Sequence, residues 1–266
     1  MIVYGRNPVR EALRGRRAHA VSEIWATSTA GREPWLRQAG AKLATGEEIE
    51  RRCGSGAHQG VCAEAGGYPY VSPEELLGER EPLIVVLDQI QDPQNLGSIC
   101  RTAECVGAAG VVIPERRAAE VTPAACKASA GAVEHLRVAR VRNVADFLAD
   151  ARGAGCWCYG ASAEEDDGAA DTPARGDAPT RRDGSARTGA GSVTVAYDAP
   201  DYTGAGVALV LGSEGAGLRP RVASACDQLI ALPLRGAIDS LNVSAAAAAI
   251  LYEILQQREK VLDNSP

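Results

Sequence analysis

Short apolar runs and segments with helically spaced apolar positions alternate through the larger part of the chain. Runs at 83–88, 110–114, 136–141, 156–160, 207–211 and 229–232 are each bounded by turn residues. That is the pattern of strands buried on both faces. Between them, helical spacing holds from Asn95 onward and over 121–129, 144–154 and 241–257. Strands that alternate with helices of this length predict an α/β fold with a parallel sheet covered on both sides. The last helix sets Val243, Ala247, Ile250, Leu251 and Ile254 on one stripe, a packing face.

The first part of the chain reads as a smaller α/β unit. Asn7-Pro8 is expected to cap a helix through Leu13, and 21–26 is strand-like. A helix is expected over 47–53 and a strand over 58–63. Gly66-Gly67-Tyr68-Pro69-Tyr70 is rich in breakers, and Ser72-Pro73-Glu74-Glu75 has the form of a helix start. The expected organisation is a domain over 1–70, a linker over 71–81 with the boundary near residue 78, and a larger domain over 82–262. Residues 163–191 interrupt the larger domain and contain no Val, Ile, Leu, Met, Phe, Tyr or Trp. Such a stretch buries too little apolar surface to offset its ordering entropy, so it is expected to be a disordered surface insertion, either inert or touching RNA through Arg181-Arg182.

Composition changes this picture in a few places. With one Phe and one Met in 266 residues, the core must be built from Ala, Val, Leu and Ile. A net charge of −6 argues against a non-specific nucleic-acid coater. Locally, however, residues 1–17 hold five arginines against one glutamate, either a basic patch or an ordinary solvated face. The eight cysteines lack the paired spacing of zinc sites and most read as small buried hydrophobes, with no metal expected. Cys156 and Cys158 alternate on a strand and should share a face. No run is long enough to span a membrane and no apolar signal core opens the chain, so a cytoplasmic protein is expected.

Three clusters follow predicted strands, where open α/β sheets place ligands. In Asp92-Pro93-Gln94-Asn95-Leu96-Gly97-Ser98-Ile99-Cys100-Arg101-Thr102-Ala103, a helix puts Leu96, Ile99, Cys100, Ala103 and Val106 on one arc. Asn95, Ser98, Arg101 and Thr102 fall on the other. Arg101 is then displayed, for a ligand or for a surface ion pair. In Leu211-Gly212-Ser213-Glu214-Gly215-Ala216-Gly217-Leu218, glycines after an apolar strand permit close backbone approach, and Glu214 adds a carboxylate. No dinucleotide-type glycine fingerprint follows any strand. The third cluster, 230–244, runs through Leu232-Pro233-Leu234 and a glycine loop to Ser240-Leu241-Asn242, where Ser240 and Asn242 either cap the last helix or face a substrate.

Taken together, in this order and spacing, the clusters resemble the three signature motifs of the SpoU family of RNA ribose methyltransferases, over about residues 82–258 apart from the insertion. The resemblance implies a parallel sheet whose C-terminal part is tied in a deep trefoil knot, and a homodimer. It assigns S-adenosylmethionine to Gly212, Leu232 and Leu241, largely through backbone groups, and sets Asn95, Arg101, Glu214, Ser240 and Asn242 on the catalytic side. Leu234 stands where the family commonly has Met, a change of little consequence in volume. Gly5-Arg6-Asn7-Pro8-Val9-Arg10-Glu11-Ala12-Leu13 and His58-Gln59-Gly60-Val61 resemble the L30e-like substrate-binding domain of bacterial large-subunit rRNA guanosine 2′-O-methyltransferases. This implies 23S rRNA as substrate, with Arg6, Arg10 and Arg101 toward RNA and His58 in folding or docking.

The implied reaction is attack of a ribose 2′-hydroxyl on a sulfonium methyl. The family implicates the arginine of the first motif in activating that hydroxyl. Neutralising a guanidinium near pH 7 would cost at least ~7 kcal/mol, which favours Arg101 as a clamp for phosphate and developing alkoxide over Arg101 as a base. A tRNA ribose methyltransferase and a catalytically silent RNA-binding or ribosome-assembly protein are the competing readings.

Overall fold

The computed structural model describes residues 1–162, 194–213, 215–238 and 240–263. The expected insertion over 163–191 lies outside the described residues. In the smaller unit, β1 (Ile2–Tyr4) leads to α1 (Arg6–Ala12), β2 (Val21–Ala26), α2 (Pro34–Gln38), β3 (Lys42–Leu43), α3 (Gly46–Cys53) and β4 (Val61–Ala65). Its sheet has the order β1-β4-β2-β3, and only the β2–β3 pair is parallel. A short α4 (Pro73–Leu77) follows.

The larger unit runs β5 (Leu83–Asp88), α5 (Pro93–Cys105), β6 (Gly110–Pro114), α6 (Pro123–Ala128), β7 (Val138–Val141), α7 (Val144–Gly153), β8 (Cys156–Ser162), β9 (Thr194–Ala196), β10 (Gly206–Gly212), α8 (Pro220–Ala223), β11 (Gln228–Ala231) and α9 (Val243–Asp263). Its seven described strands lie in the order β7-β6-β5-β10-β8-β11-β9, all parallel. The strand period of two divides the core. Leu83, Val85, Leu87, Val207, Leu209 and Leu211 face the side of α5, α6 and α9, while Ile84, Val86, Ala208 and Val210 face that of α4, α7 and α8. The predicted stripe on α9 is buried throughout, and the sulfurs of Cys156 and Cys158 lie in one cluster. No described helix is long and apolar enough to cross a membrane.

Two local expectations are corrected. Asn7 does not cap α1: the cap position is Gly5 at φ 97, with no side-chain cap, and the Arg6 N–H instead donates to Gln59 Oε1 at 3.0 Å. His58 is not in a strand but in a 3-10 turn, where its Nδ1 accepts from the Gly60 N–H at 2.9 Å, so β4 begins at Val61. Segment 71–81, expected as a linker, packs on the larger sheet: Val71 bridges Ala139 and Leu76 is fully buried beside Ile84 and Val86.

The two units share one core, in which Val3, Val9 and Val61 join Ile99, Cys126 and Val133. Across this seam the side chains of Arg17 and Glu134, 1% exposed each as residues, pair in a fork: Nε donates to Oε2 at 2.7 Å and Nη2 to Oε1 at 2.5 Å. Arg17 Nη1 also donates to the Gly66 carbonyl at 3.1 Å, so the guanidinium is held from both units. Gly15 passes so close that a Cβ there would lie 2.4 Å from the Glu134 carbonyl oxygen. Removing one partner leaves the other charge buried and uncompensated. Glu134→Leu or Arg17→Met should each lower unfolding free energy by about 3–5 kcal/mol, and the double variant should lose less than the sum, measured by urea denaturation.

Candidate functional site

The three motifs meet at the C-terminal edge of the larger sheet because β5 and β10 pair in register, with Asp88 opposite Gly212. From β5 the chain turns through Gln89, at φ 63, a left-handed conformation uncommon for Gln and a form of strain that concentrates at functional sites. Asp92 then caps α5, its Oδ1 accepting from the Gln94 N–H at 2.8 Å. Leu96, Ile99, Cys100, Ala103 and Val106 are buried as expected, and burial pushes the Cys100 thiol up to about 12, so it packs as a small hydrophobe. Arg101 is exposed, and no described carboxylate pairs with it.

Asn95 departs from the displayed arc: it is buried, and its Oδ1 accepts from Asn242 Nδ2 at 3.1 Å. The reason lies on the other side of that bond. Asn242 sits at the start of α9, where its Oδ1 accepts from the Ser244 N–H at 2.9 Å and from the Ser244 hydroxyl at 2.6 Å. Capping and site-building are therefore one role for Asn242, and α9 packs against α5 so that the first and third motifs touch. Ser240 is exposed two residues earlier.

The second motif folds back on itself. Ser213 and Gly217 exchange backbone hydrogen bonds of 2.9 and 3.1 Å, with Gly215 at φ 78 and Gly217 at φ 64. A Cβ on Gly212 would lie 2.2 Å from the Gly217 carbonyl carbon, so only glycine lets the loop close over the strand end. Glu214 lies outside the described residues. Two residues that the motifs did not single out pin this loop. Asp88 is fully buried, and its carboxylate accepts from Arg219 through Nε at 2.8 Å, Nη2 at 2.6 Å and the backbone N–H at 3.0 Å. The signal available in sequence was a lone Asp closing an apolar run, with an Arg just after the glycine loop.

Beyond β11, Leu232 is half-buried, and the loop it opens exposes Ile238 (72%) and Leu241 (48%). An apolar rim beside exposed backbone suits a flat heteroaromatic ligand held by carbonyl and N–H groups. The described residues contain no cluster of His, Cys, Asp or Glu arranged to hold a metal. Arg6 and Arg10 are exposed on α1 in the smaller unit. Arg6 makes a 3.4 Å contact with Glu33, and Arg10 pairs with no described carboxylate.

Comparison with known proteins places this geometry. Residues 82–252 match the SpoU rRNA Methylase family, and residues 2–71 match the domain described as RNA 2'-O ribose methyltransferase substrate binding. YacO of Bacillus subtilis, assigned to the TrmH family of tRNA/rRNA methyltransferases, is 40% identical over 78% of this chain and 74% of its own length. A TrmH family tRNA/rRNA methyltransferase of Staphylococcus haemolyticus is 32% identical over 100% of this chain and 99% of its own. Among solved structures, the SpoU methyltransferase AviRb from Streptomyces viridochromogenes, in complex with the cofactor AdoMet, superposes with a TM-score of 0.72 at 24% identity, covering 98% of this chain and 91% of that one. With its three motifs joined at one sheet edge and the family pattern spanning most of its length, the chain belongs to the SpoU family of RNA methyltransferases.

Proposed function

We propose that the chain transfers a methyl group from S-adenosylmethionine to a ribose 2′-hydroxyl of RNA, with a guanosine of 23S rRNA as the target. The observation that carries this reading is the Asn95–Asn242 hydrogen bond at 3.1 Å, which fixes the first motif to the third on the helix that also displays Arg101, paired with no described carboxylate. When bound, the cofactor supplies an electrophilic methyl. Gly212, Leu232 and Leu241 would hold it, the first through the tight loop over β10 and the others through backbone and apolar rim. The locked asparagine pair orients the start of α5 and of α9. Arg101 binds the substrate phosphate and stabilises the alkoxide as it forms, while Ser240 and Glu214 complete the catalytic side.

The match of residues 2–71 to a substrate-binding domain supports a large structured RNA. The names of the relatives keep tRNA as the second reading. The deep knot and the homodimer belong to the same proposal. β11 lies between β8 and β9, so the chain returns past strands already laid down, and Tyr252 and Val261 leave apolar surface on α9 for a second copy to cover.

Tritiated methyl transfer to unmodified 23S rRNA and to bulk tRNA, followed by nucleoside analysis, tests the reading. Label should be recovered as 2′-O-methylguanosine from 23S rRNA, and Arg101→Ala should lower the rate by about 10²-fold or more. Label in tRNA alone moves the substrate, and no label together with no cofactor binding favours a silent scaffold. Near-full activity in Arg101→Lys would count against a bidentate clamp.

Gly212→Ala should weaken S-adenosylmethionine binding in equilibrium dialysis, because the added methyl must push Gly217 away. Its global stability should fall by about 1–3 kcal/mol. Unchanged affinity would remove Gly212 from the cofactor site.

A further inference from the structure

The seam between α1 and α6 holds a cation that no described group neutralises. Lys127 is half-buried in the last turn of α6, and its ammonium nitrogen lies 2.6 Å from the point a Cβ on Gly5 would occupy. The oxygen of the Gln59 amide lies 3.2 Å from that same point. Among the described residues, no carboxylate is within ion-pair distance of Lys127. Burial lowers its pKa, with no opposing charge to raise it. An ammonium that gives up hydration without gaining a counter-charge is a net cost, which an anion from solvent would offset.

The neighbouring charges point the same way. Arg10 stands exposed on the outer face of α1, one turn from Arg6, which holds Glu33 at 3.4 Å, while the Glu11 side chain turns toward Gly131 at the seam. The acidic groups of the seam are already engaged: Glu11 with His135 at 2.9 Å and Arg14 at 3.8 Å, Glu134 with Arg17. The Arg17–Glu134 fork fixes α1 against the larger unit, so cations from the two units keep a constant spacing.

We propose that Lys127 of the larger unit, together with Arg10 of the smaller one, forms a phosphate-binding notch across the seam that takes the sugar-phosphate backbone of the substrate RNA. This rests on the reading of RNA as substrate. It adds a contact made by neither unit alone, and gives the rigid seam a function: the two halves of the track are in register before RNA arrives.

The test is filter binding of a labelled 23S rRNA transcript to the full chain across a range of KCl concentrations. Each phosphate contact contributes about 0.7–0.9 to the slope of log affinity against log salt. Lys127→Gln should lower the slope by that amount, Lys127→Arg should restore it, and Arg10→Gln, which disturbs no packing, should lower it similarly. Lys42→Gln removes the same charge from the far edge of the small sheet, where Lys42 pairs with Glu23, and should leave the slope unchanged. A wild-type slope in Lys127→Gln and Arg10→Gln, or an equal drop in Lys42→Gln, overturns the notch. Binding of inorganic phosphate with no change in the RNA slope also overturns it, by assigning Lys127 to a free anion. Because binding is read without methyl transfer, a wild-type chain that methylates no RNA counts against the proposed activity and leaves the slope comparison intact.

Discussion

The register between β5 and β10 is the constraint on which the site depends. Pairing runs from Leu83 opposite Val207 to Asp88 opposite Gly212, and it brings two segments more than a hundred residues apart to the same sheet edge. A shift of one residue would turn every side chain of β10 to the other face, exchanging the sets that pack on α5 and on α7. It would also separate the Asp88 carboxylate from Arg219. A fully buried carboxylate is costly unless hydrogen-bonded and paired, and here a single arginine supplies both the backbone N–H and the guanidinium donors. The glycine loop is thereby tied to the strand beside it, and the turn that follows Asp88 leads directly into α5.

The seam between the units solves a different problem. Its buried Arg17–Glu134 pair is no strong argument for stability, since an apolar pair of the same volume would serve as well or better. What the pair contributes is a single way to dock. Its donors meet two carboxylate oxygens, the Gly66 carbonyl and the Cys126 sulfur, and Gly15 and Gly131 leave no room for sliding. The Tyr68 hydroxyl lies within 2.7–2.9 Å of the Leu136 and Val133 carbonyl oxygens, and the Tyr70 hydroxyl accepts from the Val121 N–H at 3.0 Å. The breaker-rich stretch just before the expected linker thus straps the two units together.

Much of the larger unit was legible because buried parallel strands appear as continuous apolar runs, while the side-chain caps at Asp92, Thr122 and Asn143 went unread and α5 begins two residues before the expected Asn95. Local chemistry also misled. Asn7-Pro8 has the form of a cap, yet the donor is satisfied by Gln59, whose reach depends on the fold of the smaller sheet. Asn95 fell on the polar arc of its helix and is nevertheless buried, because its partner belongs to α9. Asp88 with Arg219, and Arg17 with Glu134, escaped for the same reason: a buried ion pair between distant residues leaves no periodic trace. The roles expected of Gly212, Arg101 and Asn242 came from the family resemblance.

Charge distribution follows a similar logic. The net charge of −6 would repel RNA if it acted as a whole, but exposed charges farther apart than about 8 Å are largely screened at physiological salt. What a phosphate meets is local. Many surface arginines of the described structure are occupied, as Arg137 is by Glu79, Arg140 by Glu120 and Arg221 by Asp146. Arg10, Arg101 and Lys127 pair with no described carboxylate. A paired arginine must release its carboxylate before binding phosphate, whereas these three need only shed water and counterions. An acidic total is therefore compatible with local binding of RNA phosphate.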